Sequence, residues 1–536
     1  MFRLVTEPSL FESRARPLAR ALAVGLFAVL LAALGYTILQ QAYALALCCG
    51  DDAAMAVVAK NLVWGAGYSV SIESNGQPGI IPFSPDISTG PAVILPAALG
   101  ILIFGNRTWV PGVSEALTVI ALLAGIAWAI GRRTSAVRGA AFGALFLVGA
   151  LGATVLHFEH WHTLLGELPA ALYAVLGIAV LSLGPPVRRT ALAGGLLLGL
   201  AIASKLLVVF AVAGYGAIAL ARAGRRAYRD RAARGARLRA DAALLGWTAA
   251  GAVIPPGAFE LFKLISLGPG GYAANTAQEL AFAAYRNDPG QSPGRLAVYA
   301  ANAAGHYPAF GAHFGFSLLA LALLCAFALF VVLTRARAPG ARAFACALAA
   351  GSALSLAWWL FASIGWPRYA VIGLVLAAAL LACAAFARPA SGALIAVLVL
   401  AVVVRPHAEK IADNLRFSFG QGFAETDRVR RLHETTAFLA AHPGAPLLSG
   451  WWATDVELEY TLPTVANFTR WDHVPPATVE GDWLVRDEPW VRFLPLPGFA
   501  AFEARCRGEV WTDEPFRITS CGAGGLPPAR SKTERR

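Results

Sequence analysis

The stretch Cys48–Tyr68, CCGDDAAMAVVAKNLVWGAGY, sets two adjacent carboxylates, Asp51 and Asp52, where the first apolar segment of the chain ends. That segment, residues 21–47, is too long for the apolar part of a cleaved signal peptide. It reads as an uncleaved first membrane span, which puts both acids where a helix leaves the lipid. A charge at that depth is expensive, so an acid there is a functional-site candidate. The alternative is that both are solvated helix-end residues, or that Asp51 caps the helix after it.

Composition sets the class. Of 536 residues, 57% are hydrophobic and 14% charged, against about 25% charged in soluble proteins. Mean hydropathy is +0.60. These values describe a polytopic membrane protein. The net charge of +12 comes almost wholly from arginine, with five lysines in the chain. The arginines cluster in short loops between apolar runs, as positive-inside topology requires, and no aromatic-studded basic face points to nucleic acid.

Working outward from Asp51, the charges order the spans. Arg3, Arg14, Arg16 and Arg20 place the N-terminus (1–20) in the cytoplasm, so Asp51 and Asp52 lie outside. Residues 69–88 read as loop. The apolar run 89–104 contains Pro96 and is short of the about 20 residues that a span needs. The basic loop Arg132–Arg138 must be inside, which makes 112–130 an inward span and leaves 89–104 at the outer interface. The remaining spans are 139–156, 169–184, 190–203, 206–221, 242–262, 314–334, 343–362, 369–387 and 391–404. The result is a mainly α bundle of about eleven spans over 21–404, with outer pieces 48–111, 157–168 and 263–313. The loop 222–239, with eight arginines, is its strongest inner marker.

Residues 405–525 change composition, with more charge, Trp and Pro. They read as a small α/β domain outside the membrane, with helices at 424–441 and 455–460 and strands near 446–448 and 483–485. Cys506 and Cys521 close a short loop there, which an oxidising compartment would allow to be a disulfide or leave as two thiols. The tail 526–536 has a disordered composition.

Three further sets of residues fall on the outer side. HFEHWHTLLGELP (157–169) offers Glu159, His160, His162 and Glu167, which suit a metal, hydrogen bonds to a polar substrate, or a wet loop. Lys205, inside GLLLGLAIASKLLVVF, either snorkels to the interface or pairs with an anion. Arg368 and Tyr369, in GWPRY, stand at the outer end of a span against the positive-inside trend. The guanidinium fork suits phosphate or anchors to headgroups.

The order of these motifs resembles a known family. Asp-Asp after a first span is followed by AKNLVWGAGY, STGPAVILPAAL, GELPAAL, GLAIASK and WPRY. This is similar to the GT-C superfamily of membrane glycosyltransferases, which includes protein O-mannosyltransferases and lipid A aminoarabinose transferases. The likeness covers residues 20–390 and implies a sugar donor on a polyprenyl phosphate and an active site on the periplasmic or lumenal face. It implies a catalytic base at Asp51 or Asp52 and contact of Arg368, with Tyr369 and Lys205, to the lipid phosphate. Glu167 matches an acidic position of the family's second outer loop; Glu159, His160 and His162 match no family pattern and read, from the residues, as a substrate or acceptor loop. Some members hold a divalent metal (Mg, Mn or Zn) through acids of the two loops, here Asp52 and Glu167, and others hold none. The run 89–104 matches a juxtamembrane helix of the family.

The expectation is therefore a bacterial inner-membrane glycosyltransferase that inverts the sugar and delivers it to a lipid, glycan or protein acceptor. The rival classes are a transporter or lipid flippase, a ligase or polymerase of polyprenyl-diphosphate glycans, and a non-enzymatic scaffold. A transporter should carry an internal repeat, and none is visible.

Overall fold

The computed structural model describes residues 10–45, 47, 49–71, 80–229, 234–286, 311–336, 338–363, 367–387, 389–442, 447–449, 452–462, 468–470, 483–487, 504, 506 and 508–521. The bundle helices among them are α1 (Leu10–Ala44), α2 (Gly50–Val63), α3 (Pro91–Phe104), α4 (Val110–Arg133), α5 (Ala136–Thr154), α6 (Glu167–Leu183), α7 (Arg188–Ser204), α8 (Val209–Arg229), α9 (Arg234–Arg286), α10 (Gly311–Arg335), α11 (Pro339–Ala362), α12 (Val371–Ala382) and α13 (Pro389–Val399). Each segment read as a span is helical over most of its described residues. Eight helices among the described residues are long and apolar enough to cross a membrane. The 17-residue α6 and α7 are shorter.

The core explains the arrangement. α12 is apolar on every side and buried at all twelve positions, as expected of a helix at the centre of a bundle. Phe142, Phe146, Phe344 and Phe386 pack into the same cluster. α12 is entered through the turn Pro367–Ala370, so its burial fixes where Arg368 stands.

α3 has 14 residues, about 21 Å of helix against a hydrocarbon core of about 30 Å. It packs beside α2 and α4. α2 begins at Gly50 with Cys49 as N-cap, so Asp51 does not cap it. The two acids instead occupy its first turn, where the helix dipole favours negative charge. α2 is buried on nearly every side.

Two boundaries differ from the sequence reading. The outer piece expected from 263 continues the helix to 267, breaks at Gly268 (φ 69°) and returns as a second helical arm. Lys263 ties the arms, with Glu260 at 3.3 Å and Glu279 at 2.8 Å. Asn275 of the returning arm donates to the Phe83 carbonyl at 2.7 Å. The Leu-Gly-Pro-Gly-Gly sequence reads as a loop, but Pro269 is tolerated in the first turn of the new arm.

The second boundary is 405. The chain stays helical through Leu400–Val404 and Arg405–His407 into α14 (Ala408–Gln421). α14 packs on α1: Gln41 donates to the Asn414 Oδ1 at 3.2 Å, and Tyr36 stacks on Phe419 with ring centroids 4.9 Å apart. Polar residues near the end of α1 thus draw 408–421 back against the bundle.

Beyond it, α15 (Asp427–Ala440) and α16 (Trp452–Thr461) cover a five-stranded sheet of β3 (Leu447–Ser449), β4 (Phe468–Arg470), β5 (Trp483–Asp487), β6 (Gly508–Asp513) and β7 (Phe516–Ser520). A two-stranded ribbon, β1 (Ser69–Val70) with β2 (Ile81–Pro82), lies in the first outer piece. The sheet order is β4-β3-β5-β7-β6, parallel across β4-β3-β5 and antiparallel thereafter. Leu432, Leu458, Val485, Phe516 and Ile518 form its core. Cys506 and Cys521 are joined by a disulfide at the base of the β6–β7 hairpin.

Candidate active site

Three motifs far apart in sequence meet in one junction. Gly90 N–H donates to the Ser204 carbonyl at 3.0 Å, and the Thr89 hydroxyl to the Leu165 carbonyl at 3.0 Å. The approach is close enough to require glycine: a Cβ on Gly90 would lie 2.1 Å from the Ala203 oxygen. Gly166, at φ 85°, lies in the left-handed region, and a Cβ there would meet the Ser204 oxygen at 2.8 Å. STGP, GELP and IASK thus form a single knot.

Lys205 is the centre of that knot. It has extended backbone between α7 and the next turn of helix, so the ammonium leaves the helix axis instead of snorkelling along it. Its Nζ lies 3.2 Å from Glu167 Oε1 and donates to the Leu165 carbonyl at 2.9 Å and the Ser88 hydroxyl at 3.3 Å. Glu167 is fully buried, and His160 Nδ1 lies 3.6 Å from its other oxygen. A buried carboxylate requires such partners.

Arg368 makes an ion pair with Asp51 and also interacts electrostatically with Glu167. Its guanidinium lies 5.3 Å from the Tyr369 ring, which packs near Trp358. Asp51, Arg368, Glu167 and Lys205 therefore alternate in sign along the site.

The two adjacent aspartates differ. Asp51 is 25% exposed. Asp52 is 1% exposed, and its Oδ1 accepts the Leu164 N–H at 2.8 Å. Asp51 faces the accessible side of the site, while Asp52 binds α2 to the second outer piece.

The segment 155–168 is not a wet loop. It folds as a 3-10 turn over Val155–Trp161, and His160, His162, Thr163 and Glu167 are all buried. Burial pushes the His162 imidazole down to about 4, against the charge of Glu159, so it is neutral at physiological pH. His162 packs near Phe158.

Asp52 and Glu167, the possible metal ligands, both have protein partners. Among the described residues no group of three or more His, Cys, Asp and Glu is arranged to hold an ion. Asp52 accepts the Leu164 N–H, and Glu167 is faced by an ammonium, which a dication would repel.

Three contributors were missed by the sequence reading. Glu115 of α4 is 1% exposed, neither carboxyl oxygen has a hydrogen bond among the described residues, and it interacts electrostatically with Asp52. A lone acid in VPGVSEALTVIALL was a legible signal. Tyr460 comes from α16, donates to the Arg107 carbonyl at 2.9 Å and interacts electrostatically with Asp52. Lys60, at the far end of α2, donates to the Glu459 carbonyl and to the Leu462 carbonyl at 2.9 Å. The last two had no sequence signal, because their partners lie about 350 to 400 residues away.

No family model and no curated protein matches the chain. Among solved structures it resembles ArnT from Cupriavidus metallidurans bound to undecaprenyl phosphate. The overlap has a TM-score of 0.54 and 14% identity, and covers 94% of this chain and 99% of that one. A looser overlap, with a TM-score of 0.46 and 12% identity, relates it to the Archaeoglobus fulgidus oligosaccharyltransferase complex with Zn and sulfate, over 88% of this chain and 69% of that one. The chain is thus an integral, multi-pass membrane protein, and its fold is the one seen in ArnT.

Proposed function

We propose that the protein is a membrane glycosyltransferase that moves a sugar from a polyprenyl-phosphate donor to an acceptor at the periplasmic face, inverting the anomeric carbon. The ArnT fold, seen in that protein with undecaprenyl phosphate bound, supports the donor class. The observation that carries the chemistry is the Asp51–Arg368 pair at the accessible edge of the charge network.

Asp51 is the base: it takes the proton of the acceptor hydroxyl or amine as that atom attacks the sugar C1. The C1–O bond to the lipid phosphate breaks with inversion, and the phosphate leaves with the electron pair. Arg368 stabilises the departing phosphate through its fork of donors. Tyr369, against the guanidinium, limits its swing. A phosphate and Asp51 would compete for Arg368, which frees the carboxylate as the donor settles. Lys205 already directs its ammonium at Glu167, Leu165 and Ser88, so it positions the loops and is not the main phosphate ligand. Asp52 orients α2 through Leu164. Glu167, His160, His162 and Glu159 shape the wall beside the acceptor.

The test compares wild type, Asp51→Asn and Asp52→Asn in membranes given total polyprenyl-phosphate sugars, with each donor followed by mass spectrometry. Asp51→Asn should slow consumption of one donor by about 10²–10⁴-fold, the range for a lost general base. Asp52→Asn keeps an oxygen for the Leu164 N–H and should lose much less. Full turnover by Asp51→Asn would sink the base assignment. A wild type that consumes no donor while acceptor membranes are present would favour the transporter reading.

A further inference from the structure

The turn between α6 and α7, Gly184–Val187, lies at the opposite ends of those helices from Glu167 and Lys205. Seventeen residues per helix separate the two places by about 25 Å at 1.5 Å per residue. A cavity of about 310 Å³ opens at this turn, lined by Thr190, Tyr215, Arg222, Arg226, Asp241 and Leu245 among others.

The charges in it do not balance. Arg226 forks onto Asp241, Nη2 to Oδ1 at 2.8 Å and Nε to Oδ2 at 3.2 Å. That pair uses the only carboxylate in the lining. Arg222, half-buried one turn earlier on α8, has no hydrogen bond or ion pair among the described residues. Arg226, Tyr215, Cys346 and Asp241 are the titratable groups around it. A guanidinium partly withdrawn from water, with Asp241 already forked by Arg226 and no anion bonded to it directly, is unfavourable, and its donor fork matches phosphate. Leu220 of α8, close to Arg222, and Val253 and Ile254 farther along α9 are exposed apolar residues at 63%, 64% and 52%.

We propose that this cavity binds the phosphate of an anionic membrane lipid. Arg222 makes the principal contact, Arg226 supports it while holding Asp241, and the acyl chains lie along the apolar faces of α8 and α9. The site is separate from the Asp51 network and does not depend on the reaction performed there. A bound lipid would join the α6–α7 turn to α8 and α9, bracing the helices whose other ends carry Glu167 and Lys205.

The experiment uses the delipidated full chain in neutral detergent. Short-chain phosphatidylglycerol, phosphatidylcholine and inorganic phosphate are each titrated, with bound species counted by native mass spectrometry. Phosphatidylglycerol should bind at one site in preference to phosphatidylcholine, and Arg222→Gln should weaken it about tenfold. Thr190→Leu, which fills the cavity and leaves every charge in place, should weaken it too, and decides the matter if Arg222→Gln fails to fold. Arg225→Gln, exposed and outside the lining, should change nothing. Equal losses in Arg222→Gln and Arg225→Gln would mean diffuse attraction and overturn the site. Inorganic phosphate that binds as tightly as the lipid, with the same dependence on Arg222, would overturn the lipid assignment.

Discussion

At one end of the bundle Asp51, Arg368, Glu167 and Lys205 alternate in sign and are three-quarters or more buried. At the other, Arg222 and Arg226 share one carboxylate, and Arg226 is 48% exposed. Both ends hold charge beside lipid, yet the energetic consequences differ. Buried charges depend on every partner, since removing one strands another in low dielectric. Charges open to water are screened and nearly independent of each other. The buried end is thus built as a unit of fixed geometry, as the proposed catalysis requires, while the open end suits the proposed exchange of a partner for a ligand.

The sharpest challenge to this contrast is Glu167→Gln, which leaves Lys205 buried without its counter-charge. A loss of about 3–5 kcal/mol is expected, read by thermal unfolding in detergent. Lys205→Met added to it should recover part of the loss, because the two changes act on one interaction. Simple addition of the two losses would mean that the network is not coupled.

Next in size is the glycine knot. Gly90→Ala pushes a methyl onto the Ala203 carbonyl and should cost about 1–3 kcal/mol, as overpacking does. Donor turnover should fall with it, since the same knot seats Lys205.

A smaller effect comes from Lys60, whose burial pulls its ammonium down to about 8 from 10.5, opposed by the Glu459 charge. Between those values the unfolded chain binds more protons than the native one, so stability rises as pH climbs from 8 towards 10.5 and is level below 8. In Tm the rise should be about 1–3 °C. Lys60→Met should abolish it, and an unchanged slope would show that another group is responsible.

The smallest change is expected at the open end. Arg226→Gln breaks a half-exposed pair and should shift stability by less than about 1 kcal/mol. A loss as large as that of Glu167→Gln would erase the distinction between the two ends.

Much of this was legible along the chain. Apolar length and the arginine loops gave the helical bundle, because lipid admits few structures with satisfied backbone. The odd positions of Asp51, Lys205 and Arg368 marked them, because charge near lipid needs a reason. Pro96 and the short length of 89–104 marked a helix shorter than a full span. The arm beyond Gly268 and the return of 408–421 onto α1 were not legible. Each depends on contacts with residues far off in sequence, such as Phe83 and Gln41, and local propensity carries no record of them.

By itself, then, the sequence determined the membrane class, the placement of helices and which charges are out of place. Hydropathy and charge act locally on each segment, so they can be read one segment at a time. Which charge pairs with which depends instead on how the segments pack. The tertiary structure separated the accessible Asp51 from the buried Asp52, brought Tyr460 near Asp52, and left Arg222 without an ion pair of its own among the described residues. Those outcomes depend on packing between segments up to about 400 residues apart, where burial and distance, not residue type, set the energy of a charge.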